Sequence, residues 1–111
     1  MLFLKNGIFV VMENKNLYVI AGCNGAGKTT ASFTILPEIL DCKEFVNADE
    51  IAKGLSPFQP DKVAVEAGRI MISRINNLLE DELSFAFETT LATKSYKNKI
   101  LLAKNKGYTV T

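Results

Sequence analysis

The segment Gly22-Cys23-Asn24-Gly25-Ala26-Gly27-Lys28-Thr29 constrains the fold of this chain more than any other stretch. It satisfies G-x-x-x-x-G-K-[ST] at every fixed position. An apolar, β-branched run, Leu17-Tyr18-Val19-Ile20-Ala21, comes before it, and a helix-forming stretch follows from about Lys28 toward Ile35. A buried strand, a glycine-rich turn and a helix in that order make a phosphate-binding loop. The glycines let the backbone curl until consecutive N–H groups point inward, where they bind phosphate oxygens. The helix N-terminus adds partial positive charge. Lys28 then serves as a point charge toward the β- and γ-phosphates, and the Thr29 hydroxyl as a ligand for Mg²⁺. The expected nucleotide contacts are Gly22, Cys23, Asn24, Gly25, Ala26, Gly27, Lys28, Thr29 and Thr30. A chance glycine-rich turn is the bland alternative. A dinucleotide fingerprint fits worse, because the G-x-G-x-x-G spacing is absent and Lys28-Thr29 would have no task there. Cys23 reads as the occupant of a variable loop position, although the helix terminus and Lys28 could lower its pKa.

The rest of the chain alternates between the two periodicities. Glu44–Asn47 predicts a short second strand and Ala48–Leu55 a helix stopped by Gly54 and Ser56-Pro57. A long helix starts near Asp61, with Val63, Ala67, Ile70, Met71, Ile75, Leu78 and Leu79 at helical spacing. Glu80, Asp81 and Glu82 close it at the end where the helix dipole disfavours acids. Ser84–Glu88 predicts a third strand. A last helix over about Thr93–Lys106 carries the stripe Ala92, Tyr96, Ile100 and Ala103, with Gly107 as its C′ residue. Tyr108–Thr111 begins a fourth strand. This order predicts an α/β fold, a parallel sheet with flanking helices of the P-loop kinase-like kind. Because the fourth strand starts at the last four residues, the pattern predicts a domain cut short after it begins. Residues 1–15 read as an N-terminal extension and 16–111 as the domain. Within the extension, Asn6-Gly7 between two apolar runs is a hairpin signal, and Met12 is an alternative start.

Composition removes several rival chemistries. The 111 residues include no histidine, which excludes histidine general bases, Ser-His triads and histidine metal sites. The net charge of +1 supplies no field for nucleic acid or anionic lipid. Two cysteines, Cys23 and Cys42, make no disulfide scaffold or zinc ribbon, and point to a reduced, cytoplasmic setting. No segment is long and apolar enough for a membrane span. The five lysines between Lys94 and Lys106 read as a solvated helix face.

Among P-loop classes, a GTPase lacks its NKxD motif here. Two acids fall at predicted strand ends instead: Asp49 after strand two and Glu88 closing strand three. In a parallel sheet the ligand site lies at those carboxyl ends. Small-molecule kinases use such an acid to accept the proton of the attacking hydroxyl. Asp49 is the candidate base, and a helix N-cap is its structural alternative. Glu88 is a candidate for binding a substrate hydroxyl, or Mg²⁺ through water. Thr90, like Thr89, is a candidate turn cap or substrate contact.

LYVIAGCNGAGKTT, then VNADEIA, then FAFETT, over roughly Asn16–Thr111, resembles the zeta toxin family of bacterial P-loop kinases. The resemblance implies ATP-dependent phosphorylation of a small-molecule hydroxyl, UDP-N-acetylglucosamine in characterised members, with ATP and Mg²⁺ bound. It also implies an antitoxin as a partner that blocks the nucleotide site. By the same resemblance Lys28 matches the phosphate-binding lysine, Thr29 the magnesium-side hydroxyl, Asp49 the catalytic base, and Glu88 and Thr90 substrate contacts. Two features depart from the family pattern. Arg69, with Glu66 one turn earlier, stands where the family has a substrate-binding acid. The family's transition-state arginines lie beyond the fourth strand, so this stretch alone is expected to be catalytically impaired. The alternatives are a kinase of another small metabolite, and a non-catalytic nucleotide-binding or antitoxin-binding module.

Overall fold

In the computed structural model the described residues are 2–5, 8–11, 14–21, 28–89 and 94–111. In chain order they form β1 (Leu2–Lys5), β2 (Ile8–Val11), β3 (Asn16–Ala21), α1 (Lys28–Glu38), β4 (Phe45–Val46), α2 (Ala48–Leu55), a 3₁₀ turn (Pro60–Val63), α3 (Ala64–Glu80), β5 (Phe85–Thr89), α4 (Lys94–Asn105) and β6 (Thr109–Val110). The strands β3, β4, β5 and β6 make one parallel sheet in the order β4-β5-β3-β6. Each connection between consecutive strands of this sheet is a crossover through helix, as parallel pairing demands. The fold is the expected α/β arrangement. β1 and β2 form a separate antiparallel pair with Lys5 opposite Ile8, so only two residues join them, as the hairpin signal predicts; Asn6 and Gly7 themselves lie outside the described residues.

The strand pleat sorts side chains onto two faces. Leu17 and Val19 of β3, Val46 of β4 and Phe85 and Phe87 of β5 face α3 and α4, where Met71, Ile75, Leu78, Leu79 and Ala103 complete the main core. Tyr18, Ile20, Phe45 and Ala86 face the other way, toward Leu36 of α1 and Cys42. Both faces are covered, which explains why β3 and β5 read as continuous apolar runs rather than alternating ones. Phe85 and Phe87 are fully buried, each contributing roughly 1.5–3 kcal/mol by burial.

Several boundaries move by a residue or more. The long helix opens with a 3₁₀ turn, and its α-helical part starts at Ala64 rather than near Asp61. Ile70, placed in its apolar stripe, is exposed, whereas Ala67, Met71, Ile75, Leu78 and Leu79 are buried. Gly54 lies inside α2, which ends at Ser56 through a bond from its N–H to the Ala52 carbonyl. Pro37 sits in the last turn of α1, which ends at Glu38. Gly107 is the C′ residue of α4, at φ +89°, with Gly107 N–H bonding to Lys104 and Tyr108 N–H to Ala103. That pair of bonds is a Schellman motif. α3 ends the same way, Glu82 N–H to Leu79 and Leu83 N–H to Leu78, but with a glutamate at φ +56° in the position glycine prefers.

The acids at the end of α3 have a tertiary explanation. The Lys15 ammonium donates to Glu82 Oε1 at 3.0 Å and to the Lys106 carbonyl, and lies 5.2 Å from the centre of the Tyr108 ring. The Tyr108 hydroxyl donates to the Leu83 carbonyl at 2.7 Å and lies 3.3 Å from that of Leu78. These contacts gather at the amino-terminal end of the sheet, where β3, β5 and β6 begin. Among the described residues no helix is long and apolar enough to cross a membrane.

Candidate functional site

The carboxyl ends of the strands converge as a parallel sheet requires. β3 ends at Ala21 and α1 begins at Lys28, with six residues between. Gly22, Cys23, Asn24, Gly25, Ala26 and Gly27 lie outside the described residues, as does Thr90. Lys28, Thr29 and Thr30 form the first turn of α1, a turn with no acid in it. Such a helix start favours an anion, because unpaired N–H groups and the macrodipole carry partial positive charge.

On the neighbouring strands, Val46 of β4 pairs with Phe87 of β5, and Ile20 of β3 with Glu88. The residues after the first pair, Asn47 and Glu88, therefore stand at one level. Asn47 Nδ2 donates to Glu88 Oε2 at 2.7 Å. The same Asn47 side chain accepts from the N–H of Asp49 at 2.8 Å and of Glu50 at 3.4 Å through Oδ1. Asn47 is extended, at φ −142° and ψ 120°, and is the N-cap of α2. The two readings of Asp49 thus separate. The cap is Asn47, and Asp49 lies one residue inside the helix, exposed. Among the described residues no hydrogen bond or ion pair engages its carboxylate. Acids in a first helical turn are favoured by the dipole, so this carboxylate is held electrostatically while it faces solvent.

Glu88 is half-buried rather than solvent-facing. Asn47 is the residue that sequence reasoning passed over. Its signal was present: Asn47-x-x-Glu50 is the N-terminal pattern of a capping box. Its second partner, Glu88, is 41 residues away, and nothing in the sequence signalled that the two meet. Arg69 and Glu66 are both exposed on α3. A cleft of about 670 Å³ opens beside Asn47, walled by Phe33, Leu36, Phe45, Ile51 and Ile70, with Arg74 at its rim. Arg74 is paired with Glu44 at 2.8 Å. Asp49 does not line that cleft. It lines a smaller hollow of about 300 Å³ between α2 and the 3₁₀ turn. Cys42 is buried, donates weakly to the Glu44 carbonyl, and has its thiol pKa pushed up by burial. No cluster of metal-binding acids, cysteines or histidines occurs among the described residues.

The chain is 31% identical over 102 residues to an uncharacterized protein of Haemophilus influenzae (strain ATCC 51907 / DSM 11121 / KW20 / Rd). The aligned stretch covers 90% of this chain and 69% of that protein. The chain belongs to that protein's family. No family model matches this relative of the Haemophilus protein. Two solved structures share its fold. A candidate kinase from Chloroflexus aurantiacus J-10-fl superposes with a TM-score of 0.69 at 16% identity, covering 91% of this chain and 59% of its own. The PezAT chromosomal toxin–antitoxin system of Streptococcus pneumoniae gives a TM-score of 0.65 at 22% identity, covering 90% and 46%. The chain thus spans between about half and three fifths of the length of these structures. Likeness at such identities is a likeness of fold, the parallel α/β sheet with its flanking helices.

Proposed function

We propose that this chain is the nucleotide-binding portion of an ATP-dependent kinase of the zeta toxin type, transferring phosphoryl from ATP to a hydroxyl of a small molecule. One observation carries the reading. The strand–G-x-x-x-x-G-K-T–helix unit, Asp49 and Glu88 all occupy the carboxyl ends of three adjacent parallel strands. In this reading Lys28 and the amides of residues 22–30 hold the phosphates, and Thr29 ligates Mg²⁺. The acid-free first turn of α1 fits that anion. Mg²⁺ held there would supply neutralisation of the charge on the transferring phosphates. Asp49 accepts the proton of the acceptor hydroxyl, a role that suits a carboxylate no other described residue engages. Glu88 and Thr90 contact the acceptor.

The acceptor suggested by the resemblance is UDP-N-acetylglucosamine. Arg69 in place of a family acid favours a second reading, a kinase of another small metabolite. A non-catalytic nucleotide-binding or antitoxin-binding module is the rival from outside enzymology. The PezAT likeness and the family resemblance together support an antitoxin as a protein partner. Residues 16–111 are the working domain in this proposal, residues 1–15 an extension, and the cytoplasm its compartment.

The test is a thermal titration with Mg-ATP. A ligand selective for the folded state adds about 2.7 kcal/mol at 100-fold over its Kd. The expected result is a saturable upward shift that Lys28→Ala abolishes. Phosphate transfer to UDP-N-acetylglucosamine and to a panel of hydroxylated metabolites then separates the two kinase readings. ATP binding with no transfer to any acceptor, by a protein that also carries the transition-state arginines the resemblance implies, selects the non-catalytic module. A cooperative melt that Mg-ATP leaves unmoved ends the nucleotide reading.

A further inference from the structure

We propose that Asn47 is a positioning residue: one side chain clamps the Glu88 carboxylate to the first turn of α2 and so sets the spacing between Asp49 and Glu88. The consequence for catalysis rests on the kinase reading above; the clamp itself does not.

The register dictates the meeting. Val46 and Phe87 are paired across β4 and β5, so the next residue on each strand arrives at the same height. Asn47 is only 5% exposed. Its 2.7 Å bond to Glu88 therefore joins a donor to a charged acceptor in a water-poor setting, the stronger class of hydrogen bond. Both partners demand the same amide orientation. The α2 amides need an acceptor from position 47 and receive Oδ1, while Glu88 needs a donor and receives Nδ2. Aspartate or serine caps a helix as well as asparagine does, but aspartate has no donor and serine has a shorter arm. An amide at this position serves two elements that lie 41 residues apart in sequence. Asp49 is tied in through its own N–H, so the turn that carries one acid is anchored to the other.

The decisive experiment is a double-mutant cycle on the full chain, read by thermal unfolding at pH 7. Asn47→Asp keeps the cap but sets a second carboxylate against Glu88, and a fall of roughly 5–10 °C in Tm is expected. Adding Glu88→Gln supplies a donor to the new acceptor, and most of that loss should return. If Asn47→Asp melts like wild type, or if the double variant is no better than Asn47→Asp, the clamp is overturned. Asn47→Ser, which keeps the cap and drops the clamp, guards against a variant that fails to fold. A spectroscopic signature separates clamping from mere capping. In Glu88→Gln the backbone amide resonances of Asp49 and Glu50 should move, because their acceptor is coupled to residue 88; unmoved resonances also overturn the proposal. With a phosphoryl acceptor in hand, Asn47→Ser should lower kcat by about 10-fold or more with KM for ATP unchanged. A protein that also carries the transition-state arginines and still transfers nothing refutes the kinase reading, while the cycle still decides the clamp.

Discussion

The two ends of the sheet use charged side chains in opposite ways. At the amino-terminal end Lys15 is enclosed by partners: the Glu82 carboxylate, the Lys106 carbonyl and the Tyr108 ring. Those partners come from other elements of the fold. At the carboxyl end Asn47 holds Glu88 and the start of α2, yet the Asp49 carboxylate stands exposed among described residues that do not engage it. A group whose partners lie within the fold serves stability. An acid supported through its backbone, with its carboxylate toward solvent, contributes little to the packing of the fold. The proposed function puts ligand chemistry at the second of these ends, where a parallel sheet ordinarily has it.

The largest expected effect tests that division directly. On the proposed kinase reading, and in a protein that also carries the transition-state arginines, Asp49→Asn should cut phosphoryl transfer to the acceptor by about 10²–10⁴-fold, the usual worth of a general base. The same change, on an exposed side chain, should leave stability within about 0.5 kcal/mol of wild type. An Asp49→Asn protein that transfers phosphate normally would break the assignment of this end to catalysis.

Tyr108→Phe should do the reverse. It removes the buried hydroxyl that serves the Leu83 and Leu78 carbonyls, at a cost of about 1–3 kcal/mol for the acceptor left unmet. Chemical denaturation reads this loss, and Mg-ATP affinity should not change. Burial pushes the Tyr108 phenol above its ordinary value of 10.0, so this donor stays neutral through the physiological range.

The smallest effect sharpens the comparison by pH. The Lys15 hydrogen bond holds the Glu82 carboxyl below its ordinary value of 4.5. A depressed acid stabilises the fold above its unfolded pKa, and that contribution is lost as pH falls through the lowered folded value. Glu82 is exposed, so screening keeps the effect slight. Wild type should therefore lose a little more Tm than Lys15→Met between pH 6 and pH 3. Identical profiles would mean that this ion pair contributes nothing to stability.

Much of the fold was legible because its causes are local. The apolar run at 17–21, the glycine-rich turn before Lys28 and the stripe from Ala67 to Leu79 each encode their element within a few residues. Gly107 announced its helix end because only a residue without a Cβ reaches φ +89° at no cost. Glu82, in the equivalent position after α3, announced nothing, since what accompanies it there is Lys15, 67 residues earlier. Asp49 could be read as base or cap until the structure gave the cap to Asn47.

The sequence by itself therefore determined the order of strands and helices, the phosphate-loop pattern and the placing of two acids at strand ends, because periodicity, turn chemistry and motif spacing act over short stretches of chain. Only the tertiary structure decided which of those groups meet. The Asn47–Glu88 bond depends on the register of two strands, and the Lys15 contacts on the packing of a helix end against a strand start. Such contacts join residues far apart in the chain, and distance in sequence holds no record of nearness in space until the core has closed around Phe85 and Phe87.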